Sequence, residues 1–109
     1  TMLFGRVPVV QFALHGASTG VRYFDFFEVN EAYGAQYLVC EKELGLDRGR
    51  VNVNGGAIAI GNPLAATGAR LVLTLMYEMN RRQARNGIAA LSVAGGQGDA
   101  LAIEKFIPK

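Results

Sequence analysis

The chain has 109 residues, and 11 Lys and Arg against 9 Asp and Glu give it a formal net charge of +2. Half of its residues are hydrophobic and 18% are charged, a composition that excludes intrinsic disorder. So small a positive excess also excludes a broad electrostatic surface for nucleic acid. A chain of this length corresponds to one compact domain or to one half of a larger one.

Reactive side chains are scarce. The single cysteine, Cys40, excludes an internal disulfide, and the single histidine, His15, excludes a two-histidine metal site built by this chain alone. We interpret Cys40 as a small buried hydrophobic residue and His15 as a surface or helix-end residue. No apolar run reaches the roughly 18 residues that a membrane span needs. We therefore expect a soluble intracellular protein, whose compartment (cytoplasm, mitochondrion or peroxisome) the sequence does not distinguish.

Glycines and prolines divide the chain into predicted elements. In order these are a helix, a strand, a helix, a strand, a helix and two strands, over residues 8–14, 23–29, 31–44, 51–53, 64–84, 88–93 and 99–106. Gly45 is the expected C-cap of the second helix, and residues 61–63 are read as a strand-to-helix loop. Strands that alternate with helices predict an α/β fold with a mainly parallel sheet, and the glycine-rich turn at 95–98 predicts a final antiparallel hairpin.

The longest predicted helix is apolar around an unusually wide arc. At about 100° per residue, its apolar side chains cover about 200°, whereas a surface helix needs a stripe only a little over about 100° wide. These side chains are Leu64, Leu71, Val72, Leu73, Leu75, Met76 and Met79. We predict that the helix is buried on two sides, of which this chain covers one.

Three motifs, in order, resemble the C-terminal domain of the thiolase family, the enzymes that make or cleave 3-ketoacyl-CoA. Residues 27–32 (FEVNEA) resemble its NEA motif, residues 54–70 (NGGAIAIGNPLAATGAR) its GGAIALGHPLGASGAR signature, and residues 91–98 (LSVAGGQG) its CxGGGxG hairpin. The match is close from about Phe24 onward and weak over residues 1–20. We treat residues 1–109 as a single thiolase C-terminal-like domain.

The resemblance implies a fold and a partner. Thiolases consist of two similar βαβαβαββ halves with helices between two sheets, so the chain resembles one half. The doubly covered helix fits that arrangement. The expected partners are a thiolase N-terminal half, or a second copy through an apolar patch around Leu71, Leu75 and Met79. A CoA thioester is the implied substrate, and no cofactor or metal is implied.

The resemblance also assigns candidate catalytic positions. Asn30 matches the NEA asparagine, which holds a water in the oxyanion hole. Asn62 stands where the family has the GHP histidine, and Ser92 stands where it has the second cysteine. The nucleophilic cysteine of the N-terminal half has no counterpart in this chain. The candidate substrate-binding positions are the glycine pairs of two motifs: Gly55, Gly56, Gly95 and Gly96.

These replacements remove proton carriers. A serine without an adjacent base does not shuttle protons at neutral pH, and an amide cannot replace imidazole as a base. Asn62 can still donate an N–H to a carbonyl oxygen. The first interpretation is therefore a thiolase-like domain that is inactive on its own. One alternative is the C-terminal part of a working acyltransferase whose cysteine lies on a missing N-terminal half, and a second is a non-catalytic interaction or structural module.

Some candidates have simpler structural explanations. Asn30 is also a candidate cap for the helix predicted at residue 31, and Ser92 a candidate buried hydroxyl with its hydrogen bonds satisfied. The glycine pairs fit tight turns as well as substrate approach. Three arginines, at positions 81, 82 and 85, complement the partial negative charge of a helix C-terminus. Binding of a CoA phosphate is the alternative interpretation.

Overall fold

The computed structural model describes residues 20–106, in which helices cover both faces of a three-stranded sheet. The strands are β1 (Phe26–Val29), β2 (Asn86–Ser92) and β3 (Gly98–Glu104). The helices are α1 (Gly34–Leu44), α2 (Ala57–Ile60) and α3 (Thr67–Arg81). The helix predicted over residues 8–14, and His15, lie outside the described residues.

The sheet has the order β1-β2-β3. β1 pairs with β2 in parallel, with Phe26 opposite Gly87. β2 pairs with β3 antiparallel, with Ser92 opposite Gly98, around a short turn in which Gly95 has a φ of +77°. The predicted α/β class, the parallel pairing and the final hairpin are confirmed.

Alternate residues of β1 face two separate parts of the core, because side chains of a strand point to opposite faces in turn. Phe27 and Val29 pack into the cluster that contains Cys40 and Leu44 of α1. Phe26 packs on the other face, into the cluster formed with α3. All four residues of β1 are buried, as predicted for a strand covered on both faces. Cys40 is fully buried, as expected.

The predicted strand over residues 51–53 is wrong. Only Val51 bridges β1, opposite Phe27, because the next residue, Asn52, has a left-handed φ of +47°. The Asn52 side chain continues the pairing instead: its Oδ1 accepts from the N–H of Val29 and its Nδ2 donates to the carbonyl of Val29, both at 2.8 Å. An asparagine amide thus replaces a backbone peptide at the edge of the sheet.

The first two predicted elements within the described range both start too early. The strand starts at Phe26 rather than at residue 23, because Val21–Tyr23 forms a 3-10 turn. Helix α1 starts at Gly34 rather than at residue 31, since Tyr33 is extended (φ −142°, ψ 135°). Gly45 ends this helix in the left-handed conformation, as predicted.

The predicted long helix is shorter than expected and is preceded by a helical turn. Ala65 has a φ of +71° and delays the start of α3 to Thr67, while Gln83, at +55°, follows its end. The helical turn α2 was not predicted, so the loop at residues 61–63 joins two helices rather than a strand and a helix.

One side of α3 is buried and the other carries exposed apolar side chains. Leu71, Leu75 and Met79 lie against the sheet and are at most 3% exposed, so the patch expected around them is not exposed. The exposed apolar side chains are Leu73, Met76 and Tyr77, each more than half exposed. The helix therefore has apolar side chains on two sides, as predicted. Its exposed apolar side is formed by residues other than Leu71, Leu75 and Met79.

Candidate functional site

Three of the candidate residues meet at one edge of the sheet. Asn30 directly follows β1 and Ser92 ends β2, and parallel strands place their carboxyl ends at the same edge. Asn62, in the loop before α3, reaches the same place. All three line one cavity of about 410 Å³. Two amides and a hydroxyl, distant in the sequence, thus share a cavity.

Asn30 is a buried residue that continues the sheet. Its backbone N–H donates to the carbonyl of Ala90 at 2.9 Å, and its side chain is only 4% exposed. Its Oδ1 accepts from Nη2 of Arg70 at 3.4 Å. The helix-cap interpretation of Asn30 is wrong, because α1 begins at Gly34 and its N-cap residue is Tyr33.

Asn62 is exposed and is held by the first residue of α3. The Thr67 hydroxyl lies 3.2 Å from Asn62 Oδ1, to which it can donate, and 3.3 Å from the carbonyl of Pro63. Asn62 has an amide Nδ2 that can donate to a ligand, but no group that can accept a proton at neutral pH. Thr67 is not among the predicted site residues, although a hydroxyl in the first turn of a helix often bonds to the preceding loop.

The glycine-rich hairpin borders the cavity at Ser92. Ser92 is half-buried and pairs with Gly98 across the hairpin. Gly95 and Gly96 follow in the 3-10 turn Ala94–Gly96, and Gly95 is not among the residues that line the cavity. The positive φ of Gly95 accounts for one of these glycines as a turn requirement.

A buried ion pair lies beside Asn30. Glu28, two residues earlier on β1, is 2% exposed, and Nη1 of Arg70 lies 3.4 Å from its Oε2. Burial raises the pKa of Glu28 to about 7, although the nearby Arg70 charge acts in the opposite direction. Neither residue is predicted by the sequence motifs. The available signal was a carboxylate within an otherwise apolar, fully buried strand, since such residues are rarely buried without a partner.

The other glycine pair lies at a different cavity, of about 630 Å³. Gly55 has a φ of +88°, and a Cβ on Gly56 would lie 2.2 Å from the carboxyl carbon of Glu31. That carboxylate accepts from the N–H of Ile58 at 2.9 Å and from Nδ2 of Asn52 at 3.1 Å. Both glycines thus have a local structural reason, and a role in substrate binding stays a prediction.

The three arginines near the end of α3 pair with carboxylates. Nη2 of Arg81 lies 2.7 Å from Oε1 of the buried Glu78, which Arg82 also contacts. The hydrogen bond from Arg81, together with one from Asn54, lowers the pKa of Glu78 to about 2. Arg85 pairs with Glu104 at 3.0 Å. These contacts account for the arginines structurally, and a CoA-phosphate role stays a prediction.

The chemistry of the first cavity is that of hydrogen bonding. Its described lining holds the two amides, the Ser92 hydroxyl and the Thr67 hydroxyl among small and apolar residues, with no group that titrates near neutral pH. Such a surface can donate to a carbonyl oxygen but cannot carry protons by itself. Across residues 20–106, no three His, Cys, Asp or Glu side chains come together as a metal site. In the same range no helix has the length and apolarity to span a bilayer.

Comparison with known proteins places these features in a family. Residues 1–105 match the family model described as "Thiolase, C-terminal domain". The acetyl-CoA acetyltransferase of Cupriavidus necator is 47% identical over 104 residues, which are 95% of this chain and 26% of that protein. The acetyl-CoA acetyltransferase of Escherichia coli is 47% identical over 105 residues, 96% of this chain and 27% of that protein.

Solved structures give the same fold. The Bacillus anthracis acetyl-CoA acetyltransferase superposes with a TM-score of 0.91 at 46% identity, over 94% of this chain and 26% of that one. Human mitochondrial 3-ketoacyl-CoA thiolase in complex with CoA gives 0.93 at 40% identity, over 97% of this chain and 27% of that one. The chain spans about a quarter of the length of these relatives.

Proposed function

We propose a function from a firm premise: this chain belongs to the thiolase family, whose C-terminal domain it matches over nearly its whole length. The chain is the C-terminal part of an acyl-CoA C-acyltransferase, and the nucleophilic cysteine lies on a part of the protein outside it. The observation that carries this proposal is that Asn30, Asn62 and Ser92 line the same cavity. Relatives named acetyl-CoA acetyltransferase, and a thiolase solved with CoA, support an acyl-CoA substrate.

In this function the cavity binds the thioester carbonyl. The amides of Asn30 and Asn62 donate hydrogen bonds to the oxygen as negative charge develops on it during attack by the cysteine thiolate. CoA then leaves as a thiolate, so this step needs no proton carrier in the cavity. Transfer of an acyl group from one sulfur to another moves no proton to or from carbon. Cleavage of a 3-ketoacyl thioester does, and Ser92 is a poor proton carrier in the position that the resemblance gives to cysteine. We therefore expect acyl exchange between thiols to be retained better than carbon–carbon cleavage.

A chimera tests the proposal directly. This chain replaces the matching segment of the Escherichia coli acetyl-CoA acetyltransferase, which is 47% identical to it. The chimera is incubated with acetyl-CoA, and mass spectrometry measures acylation of the cysteine supplied by the relative. Acylation supports the proposal. A folded chimera that binds acetyl-CoA without forming an adduct contradicts it.

Restoring the family's proton carriers separates the two reactions. In the chimera, Asn62→His together with Ser92→Cys should raise acetoacetyl-CoA thiolysis by about a hundredfold or more, the scale of general acid–base catalysis. The same two changes in the isolated chain should give no thiolysis, because the nucleophile is absent. Thiolysis by the isolated double variant would contradict the assignment of the nucleophile to another part of the protein.

A second candidate function is a non-catalytic domain that binds an acyl-CoA or a partner without turnover. The cavity lining favours it, since none of its described residues can take up or release a proton at neutral pH. In this case the exposed apolar side of α3 would bind the remaining half of the protein or a second copy of the chain. A chimera that folds and binds acetyl-CoA, but forms no acyl adduct even with Asn62→His and Ser92→Cys, favours this second function.

A further inference from the structure

We propose that Arg70 and Glu28 are positioning residues that fix the Asn30 amide with its oxygen turned away from the cavity and its N–H groups turned toward it. This inference rests on the proposed function, because it states which groups the side of the cavity that would bind the carbonyl presents: hydrogen-bond donors rather than acceptors. It predicts that this part of the cavity binds hydrogen-bond acceptors, such as a thioester oxygen, rather than donors.

The geometry gives the amide one preferred orientation. Asn30 Oδ1 lies 3.4 Å from Nη2 of Arg70, and a guanidinium has donors but no acceptor. The amide oxygen is therefore the end that faces Arg70. Asn30 lines the cavity whereas Arg70 does not, so the N–H end of the buried amide is left to face the cavity.

Glu28 holds the guanidinium in this place. Nη1 of Arg70 lies 3.4 Å from Glu28 Oε2, so adjacent nitrogens of one planar group contact the carboxylate and the amide. Glu28 and Asn30 are two residues apart at the β1 edge and face the same side of the sheet, toward α3. The Arg70 side chain is only 14% exposed, so its guanidinium has little water around it and depends on oxygen atoms of the protein as hydrogen-bond acceptors.

Both contacts are long, so the role of the pair is orientation by charge rather than a tight clamp. Within residues 20–106, Nε of Arg70 has no hydrogen-bond partner. Its positive charge is therefore directed toward two oxygen atoms, one from Glu28 and one from Asn30. Reversing the Asn30 amide would bring N–H groups against the guanidinium, and two donors without an acceptor repel each other.

The test uses the full chain labelled with ¹⁵N, and it measures the order of the Asn30 side-chain NH₂ group by relaxation. The NH₂ resonances are assigned by their loss in Asn30→Ala. In the native chain we expect an order parameter S² near the rigid value of about 0.85, and in the Glu28→Gln, Arg70→Met double variant a value below about 0.6. The double variant removes both charges together, so it leaves no unpaired buried ion.

A matched control exists elsewhere in the chain. Glu41 and Arg48 form another carboxylate–guanidinium pair, at 2.6 Å, and neither lines this cavity. The Glu41→Gln, Arg48→Met double variant should leave the order of the Asn30 NH₂ group unchanged. If the Glu28 and Arg70 double variant fails to fold by circular dichroism, Arg70→Lys replaces it, since lysine keeps the charge but cannot contact both oxygen atoms with a planar fork.

Titration with acetyl-CoA then links orientation to binding. Loss of the positioning pair should weaken acetyl-CoA binding about tenfold, the scale of one charge-assisted hydrogen bond. Asn30→Asp should weaken it at least as much, because aspartate keeps an oxygen for Arg70 but has no N–H. Unchanged NH₂ order, or lost order with unchanged affinity, overturns the inference. If the native chain binds no acetyl-CoA, the titration is repeated with the chimera. A folded chimera that also fails to bind contradicts the proposed function, whereas the order parameters of the chain decide separately whether Arg70 and Glu28 orient Asn30.

Discussion

The most informative perturbation of this fold is Glu28→Gln, which removes a buried charge while nearly preserving volume. Burial raises the pKa of Glu28 from 4.5 to about 7 in the folded chain. A carboxyl with a raised pKa binds its proton more tightly in the folded than in the unfolded state. Its contribution to the free energy of unfolding is therefore fully present below the unfolded pKa and is lost as pH rises through the folded pKa.

The magnitude follows from the two pKa values. A shift from 4.5 to about 7 corresponds to about 3 kcal/mol, at about 1.4 kcal/mol per pKa unit. The wild-type chain should lose about this much stability between about pH 4.5 and about pH 8, and Glu28→Gln should not show this loss. At about pH 5 the two proteins should differ by less than about 1 kcal/mol, since Glu28 is neutral in the folded chain and only its unfolded form has begun to ionise. At about pH 8 the variant should be the more stable by about 3 kcal/mol.

Urea unfolding followed by circular dichroism at the two pH values measures this difference. Glu78 contributes little in this window because its pKa is lowered to about 2, and its contribution is lost only as pH falls from 4.5 toward that value. Glu41→Gln is the control, since Glu41 belongs to a pair with the exposed Arg48. Parallel pH profiles for wild type and Glu28→Gln, or a variant less stable at the higher pH, would refute the reasoning.

Two further predictions concern a glycine and the open helix side. Gly56→Ala should lower the free energy of unfolding by about 1–3 kcal/mol, because a Cβ there displaces the Glu31 carboxylate from its hydrogen bonds; urea unfolding measures this. Gly34→Ala is its control, since the nearest atom to the new Cβ lies at 3.5 Å, and its effect should be small. The isolated chain should self-associate in light scattering through its exposed apolar helix side, and Met76→Lys with Tyr77→Lys should shift it toward monomer.

The outcomes that contradict these two predictions are distinct. An equal effect of Gly56→Ala and Gly34→Ala on stability would show that the Glu31 carboxylate moves aside at no cost. A wild-type chain that stays monomeric at high concentration would show that the exposed apolar side of α3 does not drive association. The lysine variants should retain the wild-type circular dichroism spectrum, since both positions are exposed.

The fold class, the order of the main elements and the family can all be predicted from the residues. Those features are local: a run such as FFEV, a glycine at a helix end and a glycine-rich turn each specify a backbone conformation within a few residues. Element boundaries differ from those predicted where a side chain competes with the backbone for hydrogen bonds. Asn52 replaces a strand by pairing its own amide with Val29, and no period-two pattern reveals this.

The construction of the cavity depends on long-range packing. The motif matches name Asn30, Asn62 and Ser92 as candidates. The parallel pairing of β1 and β2 brings Asn30 and Ser92 to one edge of the sheet, and the loop before α3 brings Asn62 to the same cavity. The contact of Arg70 with Glu28 joins helix α3 to strand β1, and the two residues are 42 positions apart in the chain. Orientation of an amide depends on which donors surround it in space, and a linear pattern of residue types does not contain that information.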